Sequence, residues 1–153
     1  MRVEEAIKKK GLELPDPPKP VANYVTAVRS GNLVFLSGHG PFKEDGTLIR
    51  GKVGADLTLE QGYEAAQRTM LMLLATLKAE VGDLDKVRRV VKILGLVNCG
   101  SDFPDQPKVI NGASDLLVDV FGGRGKHARS AVGVNALPFN TPVEIEMIVE
   151  VEP

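Results

Sequence analysis

The chain has 153 residues, 43% of them hydrophobic and 25% charged, the size and make-up of one globular domain with a sizeable core and no room for a second. With 19 basic against 20 acidic side chains the formal charge is -1, so no global field draws in nucleic acid or an anionic membrane surface. The longest apolar run, at 70–77, is too short to span a bilayer, and the charged start Met1-Arg2-Val3-Glu4-Glu5 lacks a secretory core, which sets the expectation of a soluble, cytoplasmic protein.

In chain order, 3–10 reads as a short helix stopped by Gly11, and Pro15, Pro17, Pro18 and Pro20 then force an extended arm over the surface. Runs 24–29 and 33–37 flank Ser30-Gly31-Asn32 and read as a β-hairpin. The second run leads into Ser37-Gly38-His39-Gly40-Pro41, where two glycines either free the backbone to bring N–H groups up to a ligand or mark a strand end entering a loop. A short strand at 47–50 follows. Thr58 and Gln61 are spaced as a capping box and Gly82 as a C-terminal stop, so 58–82 holds the clearest helix. Its Leu59, Tyr63, Ala66, Met70, Leu73, Leu74, Leu77 and Val81 fall on one stripe for burial. The β-branched run 87–97 is a strand whose Arg88, Arg89 and Lys92 are solvated. A second amphipathic helix, 106–121, turns Val109, Ala113, Leu116, Leu117 and Val120 inward and ends at Gly122 and Gly123. Two strand-like runs, 127–134 and 143–151, close the chain around a proline-bounded turn.

This order predicts an α+β sandwich, a mixed sheet of about six strands with two helices on one face. No sequence remains to cover the opposite face, which is expected to carry Arg129 and a row of glutamates among apolar residues, so identical subunits are expected to cover it. Strand period sets His127, Arg129, Ala131 and Gly133 on one face of their run. In the last run Glu144, Glu146 and Glu150 stand opposite Val143, Ile145, Met147, Val149 and Val151. Paired as a hairpin through Leu137 and Pro142, the two runs would put Arg129 opposite Glu150 and hold Arg129 roughly 20 Å from Glu144. Arg129 then either neutralises Glu150 on the sheet, or joins Glu144 across a subunit interface in a site built by oligomerisation. The lone Cys99 leaves no intrachain disulfide and no cysteine-built zinc site, and two histidines argue against a histidine-built metal site.

Four segments taken together, Ser37-Gly38-His39-Gly40-Pro41, Ala128-Arg129-Ser130-Ala131-Val132, Leu137-Pro138 and Val143-Glu144-Ile145-Glu146, resemble a known set in kind and spacing. That set is the Ser-Gly-Gln-Ile-Pro, Ala-Arg-Ser-Cys-Val, Leu-Pro and Ile-Glu-Ile-Glu of the Rid family, the YjgF-like reactive intermediate (enamine/imine) deaminases. The resemblance spans about 21–152 and leaves 1–20 as an N-terminal extension to a single domain at 21–153. It implies a chorismate-mutase-like α+β fold, a homotrimer with clefts between subunits, a small carboxylate-bearing substrate, and no metal or organic cofactor. It also implies roles by position. Arg129 takes the substrate carboxylate, Glu144 handles the catalytic water with Glu146 as second choice, and Tyr24, Ser37, Gly38, His39 and Asn111 bind substrate. The chemistry is coherent in itself. A guanidinium meets a carboxylate through a planar two-point contact. A carboxylate holding water can act as general base while an imine carbon is attacked, and ammonia leaves to give a 2-keto acid.

Three departures from the family pattern remodel the pocket without removing a group that this mechanism uses. Ala131 stands where the family has cysteine, His39 replaces the glutamine after Ser-Gly, and the loop 101–109 before Asn111 is longer. His39 either donates to a ligand or caps its loop, His127 reads as a sheet-face or interface histidine, and Cys99 as a small loop residue. The expected function is hydrolytic deamination of 2-imino or 2-enamino acids. A module that binds 2-keto acids or related carboxylates without turnover is the second reading, favoured by the altered pocket residues. RNA cleavage, an activity name attached to parts of the family, fits poorly with the near-zero charge, the absence of Trp and a basic cluster limited to Arg124, Lys126, His127 and Arg129. Chorismate rearrangement would rest on fold analogy alone.

Overall fold

The computed structural model describes residues 2–20 and 23–153; the domain boundary expected at Val21 lies outside the described residues. Helix α1 (Arg2–Lys9) is held at its start by Asp85, whose carboxylate accepts from the Arg2 and Val3 N–H groups at 2.8 and 2.9 Å. Val3 and Ile7 sink into the common core, and beyond Gly11 (φ 76°) the arm runs on with Leu12 and Leu14 against it. Strands β1 (Ala27–Ser30) and β2 (Leu33–His39) form the expected antiparallel hairpin, turned at Gly31 with φ 61°. Helix α2 (Leu59–Val81) opens on the capping box read from the sequence. The Gln61 N–H donates to Thr58 Oγ1 at 3.1 Å and the Thr58 N–H to Gln61 Oε1 at 2.9 Å, which contributes about 1 kcal/mol. Its middle, Thr69–Leu77, is buried on every side rather than along one stripe, and Glu4 of α1 pairs with Lys78 beyond it.

Strand β3 (Val87–Asn98), helix α3 (Gln106–Phe121), strand β4 (Ala128–Val134) and strand β5 (Val143–Val151) complete one five-stranded mixed sheet in the order β1-β2-β5-β3-β4. The sheet has five strands rather than about six, because 47–50 contributes only an isolated bridge, Phe42 to Leu48. A second difference matters more: β4 and β5 are not a hairpin. β3 lies between them, parallel to β4 and antiparallel to β5, so Arg129 is level with Ile93 and Glu150 pairs with Leu33 and Arg89. The connection does not make a tight hairpin turn. Phe139 and Asn140 both take left-handed backbone, and Asn98 at the end of β3 fills the gap, donating its N–H to the Pro142 carbonyl at 2.8 Å and its side-chain amide to Asn140 Oδ1 and the Thr141 carbonyl.

Helices α2 and α3 pack on one face of the sheet over Val34, Leu36, Ile93, Val97, Ile145 and Met147. Two glycines set their closeness: a Cβ on Gly112 of α3 would lie 2.0 Å from the Tyr63 carbonyl oxygen of α2, and one on Gly95 of β3 2.7 Å from Ile110. Each fully buried leucine in this layer contributes about 2 kcal/mol. The opposite face carries Val28, Phe35 and Val132, exposed at 53%, 42% and 45%, beside Lys92, Leu94 and Glu146. Among the described residues no helix is long and apolar enough to cross a membrane.

Candidate functional site

The residues singled out in the sequence fall into two groups. Tyr24, Ser37, Gly38, His39 and Glu144 line one cavity of about 320 Å³ beside the β2–β5 seam. Its position follows from a bulge. Leu36 pairs with Met147 and His39 with Ile145, so β2 carries one residue more than β5, and the extra residue kinks the edge at Ser37-Gly38. A side chain at Gly38 would displace Glu144, since a Cβ would come within 2.7 Å of Glu144 Oε2. The Glu144 carboxylate thus lies against bare backbone in a half-buried position, and that burial, with the Glu146 charge second, pushes its carboxyl above the usual glutamate range. Glu146 shares the face but is exposed and lines a different depression, with Lys92 and Phe35.

The bulge also turns His39 inward. Its Nδ1 donates to the Ser37 carbonyl at 2.6 Å and its Nε2 meets Thr76 Oγ1 at 2.8 Å. Burial lowers the imidazole pKa against these bonds, so the ring is neutral and Thr76 is the donor to Nε2. Both ring nitrogens are therefore spent inside the protein, and what His39 offers the cavity is a ring surface. A depressed folded-state pKa stabilises the fold above the ordinary histidine value, and that contribution fades as pH falls through the lowered one.

Arg129 and Asn111 form the second group. Arg129 Nη1 donates to Asn111 Oδ1 at 2.8 Å and to Ser114 Oγ at 3.1 Å. Ser114 also shares a 2.9 Å hydrogen bond with His127 Nε2, whose Nδ1 donates to the Gly125 carbonyl at 2.6 Å. The guanidinium is thereby fixed by one strand, one helix and one turn. Ser114 is not singled out by the sequence, and its spacing of three residues from Asn111, just under one helical turn, is the signal that could have drawn it in. Arg129 accordingly lies on the helix side of the sheet, not on the open face with the glutamates as expected. With Arg129 level with Ile93 and Met147, Glu144 stands two strands away and three residues along. That is roughly 14 Å at strand spacing and rise, and an odd offset puts the two side chains on opposite faces. One chain holds each half of the arrangement and does not join them. Cys99 is buried in a bridge to Val53, 3.5 Å from Gln106 Nε2.

Fold and motifs together define a YjgF/chorismate-mutase-like protein. A family model described as "YjgF/chorismate_mutase-like, putative endoribonuclease" matches residues 4–151. Protein TCP17 of Trypanosoma cruzi is 43% identical over 150 residues, spanning 97% of this chain and 94% of that protein. The 2-iminobutanoate/2-iminopropanoate deaminase of Dermatophagoides farinae is 32% identical over 145 residues, 94% of this chain and 98% of that protein. A crystal structure of an Agrobacterium tumefaciens protein with unknown function superposes with a TM-score of 0.92 at 42% identity, covering 99% of this chain and 94% of its own. The chain belongs to the YjgF-like, or Rid, family.

Proposed function

We propose that the protein hydrolyses reactive 2-imino and 2-enamino acids to 2-keto acids and ammonia, in clefts between the subunits of a homotrimer. The observation that carries this reading is the split arrangement: a tethered guanidinium on edge strand β4 and a half-buried carboxylate in a cavity on the far face of the same sheet. The exposed Val28, Phe35 and Val132 on the open face supply an apolar surface for a neighbouring copy. The deaminase name of the mite relative agrees with it.

In the assembled cleft Arg129 of one subunit holds the substrate carboxylate, while Ser37, Tyr24 and the backbone at Gly38 of the next border the imine. A water held by Glu144 attacks the carbon of the protonated imine as the carboxylate takes one of its protons, giving a neutral carbinolamine. That proton passes to nitrogen, and as the C–N bond breaks the carboxylate takes the hydroxyl proton, so ammonia leaves and the keto acid remains. The raised Glu144 carboxyl suits the first half of this exchange, because a carboxylate of raised pKa is a stronger base toward the attacking water. With a charge of -1 on the whole chain, a nucleic-acid groove has little support.

The test uses the purified protein and imino acids made in situ by an amino-acid oxidase, with semicarbazide as a competing trap. Faster ammonia release and less semicarbazone are expected. Unchanged partition, with 2-keto acids still binding by calorimetry, would select a carboxylate-binding module instead.

A further inference from the structure

The Glu144 cavity has a mixed lining. Beside the polar Ser37, Gly38 and Glu144 stand the apolar Phe42, Leu48, Met72 and Phe139, with Pro18 and Lys19 of the N-terminal arm. Two features mark this apolar part of the lining as a built pocket. The arm starts from a docked helix, since α1 buries Val3 and Ile7 in the core and Leu12 and Leu14 pack against it, and the half-buried Pro18 lines the cavity. Phe139 is held where a bulky residue is disfavoured. Its φ is 58° and its side chain is 65% exposed, more than any other large apolar residue described. The turn around it is tied down by the Asn140 N–H to the Leu137 carbonyl at 3.0 Å, the Gly51 N–H to the Asn140 carbonyl at 2.7 Å and the Asn98 amide to Asn140 Oδ1 at 3.0 Å. A strained, exposed aromatic ring gains nothing for the fold of its own chain, and Phe139 stands in the cavity lining, where it can meet a ligand.

We propose that this apolar part of the lining receives the substrate's side chain and selects imino acids with long apolar side chains, of the leucine, methionine or phenylalanine kind, over the alanine-derived one, with Phe139 and Pro18 as specificity-determining walls. The selection rests on the deaminase reading of the same cavity, and it names a ligand class larger than the one in the mite relative's name. Phe42, Leu48 and Met72 offer no partner to a polar substituent, and the one cation among the described lining residues, Lys19, is exposed to solvent, while each added methylene buried against the three favours the longer chain.

The experiment compares the leucine-derived with the alanine-derived imine for turnover, and 4-methyl-2-oxopentanoate with pyruvate for affinity by calorimetry. Both ratios are expected to favour the long chain by about tenfold or more. In Phe139→Gly both ratios should fall severalfold, while the melting temperature stays at or above that of the native protein because glycine accepts the left-handed backbone. Ratios near one in the native protein would overturn the proposal, as would a Phe139→Gly protein that melts normally and keeps the native preference. Affinity that favours the long chain with no turnover of either imine supports the pocket and sinks the deaminase reading alone.

Discussion

Arg129→Ala lowers the rate of imine hydrolysis by about two to three orders of magnitude, the expected cost of removing a charge-assisted two-point contact to a desolvated carboxylate. The subunits should still assemble, because among the described residues the guanidinium hydrogen-bonds the Asn111 and Ser114 side chains, both on α3, and neither belongs to the apolar open face. Arg129→Lys recovers little, since an ammonium lacks the planar fork. Sedimentation beside the trap assay reads both halves of this outcome. A variant that keeps native turnover would remove Arg129 from the chemistry, and one that falls apart into monomers would give it a structural role instead.

Glu144→Gln costs about two to four orders of magnitude in turnover, the range for loss of a positioned general base, while binding of a 2-keto acid changes far less. The amide fits the same space over Gly38, so the fold is retained. The pH dependence carries the sign. Glu144 works as a base only when ionised, and burial together with Glu146 raises its carboxyl, so native activity climbs with pH through a limb above the usual glutamate range. In Glu144→Gln that limb is absent. Ionising a carboxyl whose folded-state pKa is raised costs the fold stability as pH rises through it, so the glutamine variant should also melt somewhat higher at neutral pH. A pH–rate profile and a melting curve check the two effects separately.

Local signals fixed most of the elements. The Thr58/Gln61 pair and Gly82 bound α2 because each acts within one turn of the chain, and the apolar period of 106–121 specified α3 to the residue. What local signals lacked was strand order. Runs adjacent in sequence read as a hairpin, yet β3 intrudes between β4 and β5 and pairs with both along its length, and Asn98 at its end bonds to Asn140, Thr141 and Pro142, contacts across more than forty residues. The misplaced pairing carried the wrong face for Arg129 with it. Separation of Arg129 from Glu144 was legible all the same, although its cause is the odd register offset across β3 and not distance along a hairpin.

The candidate site was legible where one short motif builds it. Ser37-Gly38 marks the bulge that makes room for Glu144, and glycine is the signal because a Cβ there would press on the Glu144 side chain as it stands. His39 was ambiguous in sequence because the bulge that buries it is a pairing property, visible only against Ile145. Ser114, Phe139 and Pro18 were missed for a similar reason: each reaches its place through a neighbouring element, and a hydroxyl on a helix or a phenylalanine after proline carries no mark of that.

The central claim is that the functional site needs two chains, and subunit complementation tests it most directly. Arg129→Ala and Glu144→Gln proteins, each nearly inactive, are unfolded together and refolded as mixed trimers. A cleft that takes Glu144 from the first and Arg129 from the second is whole, so random mixing should restore about a quarter of native activity. Mixed trimers no more active than their parents would contradict a shared site and place both groups in the service of one chain.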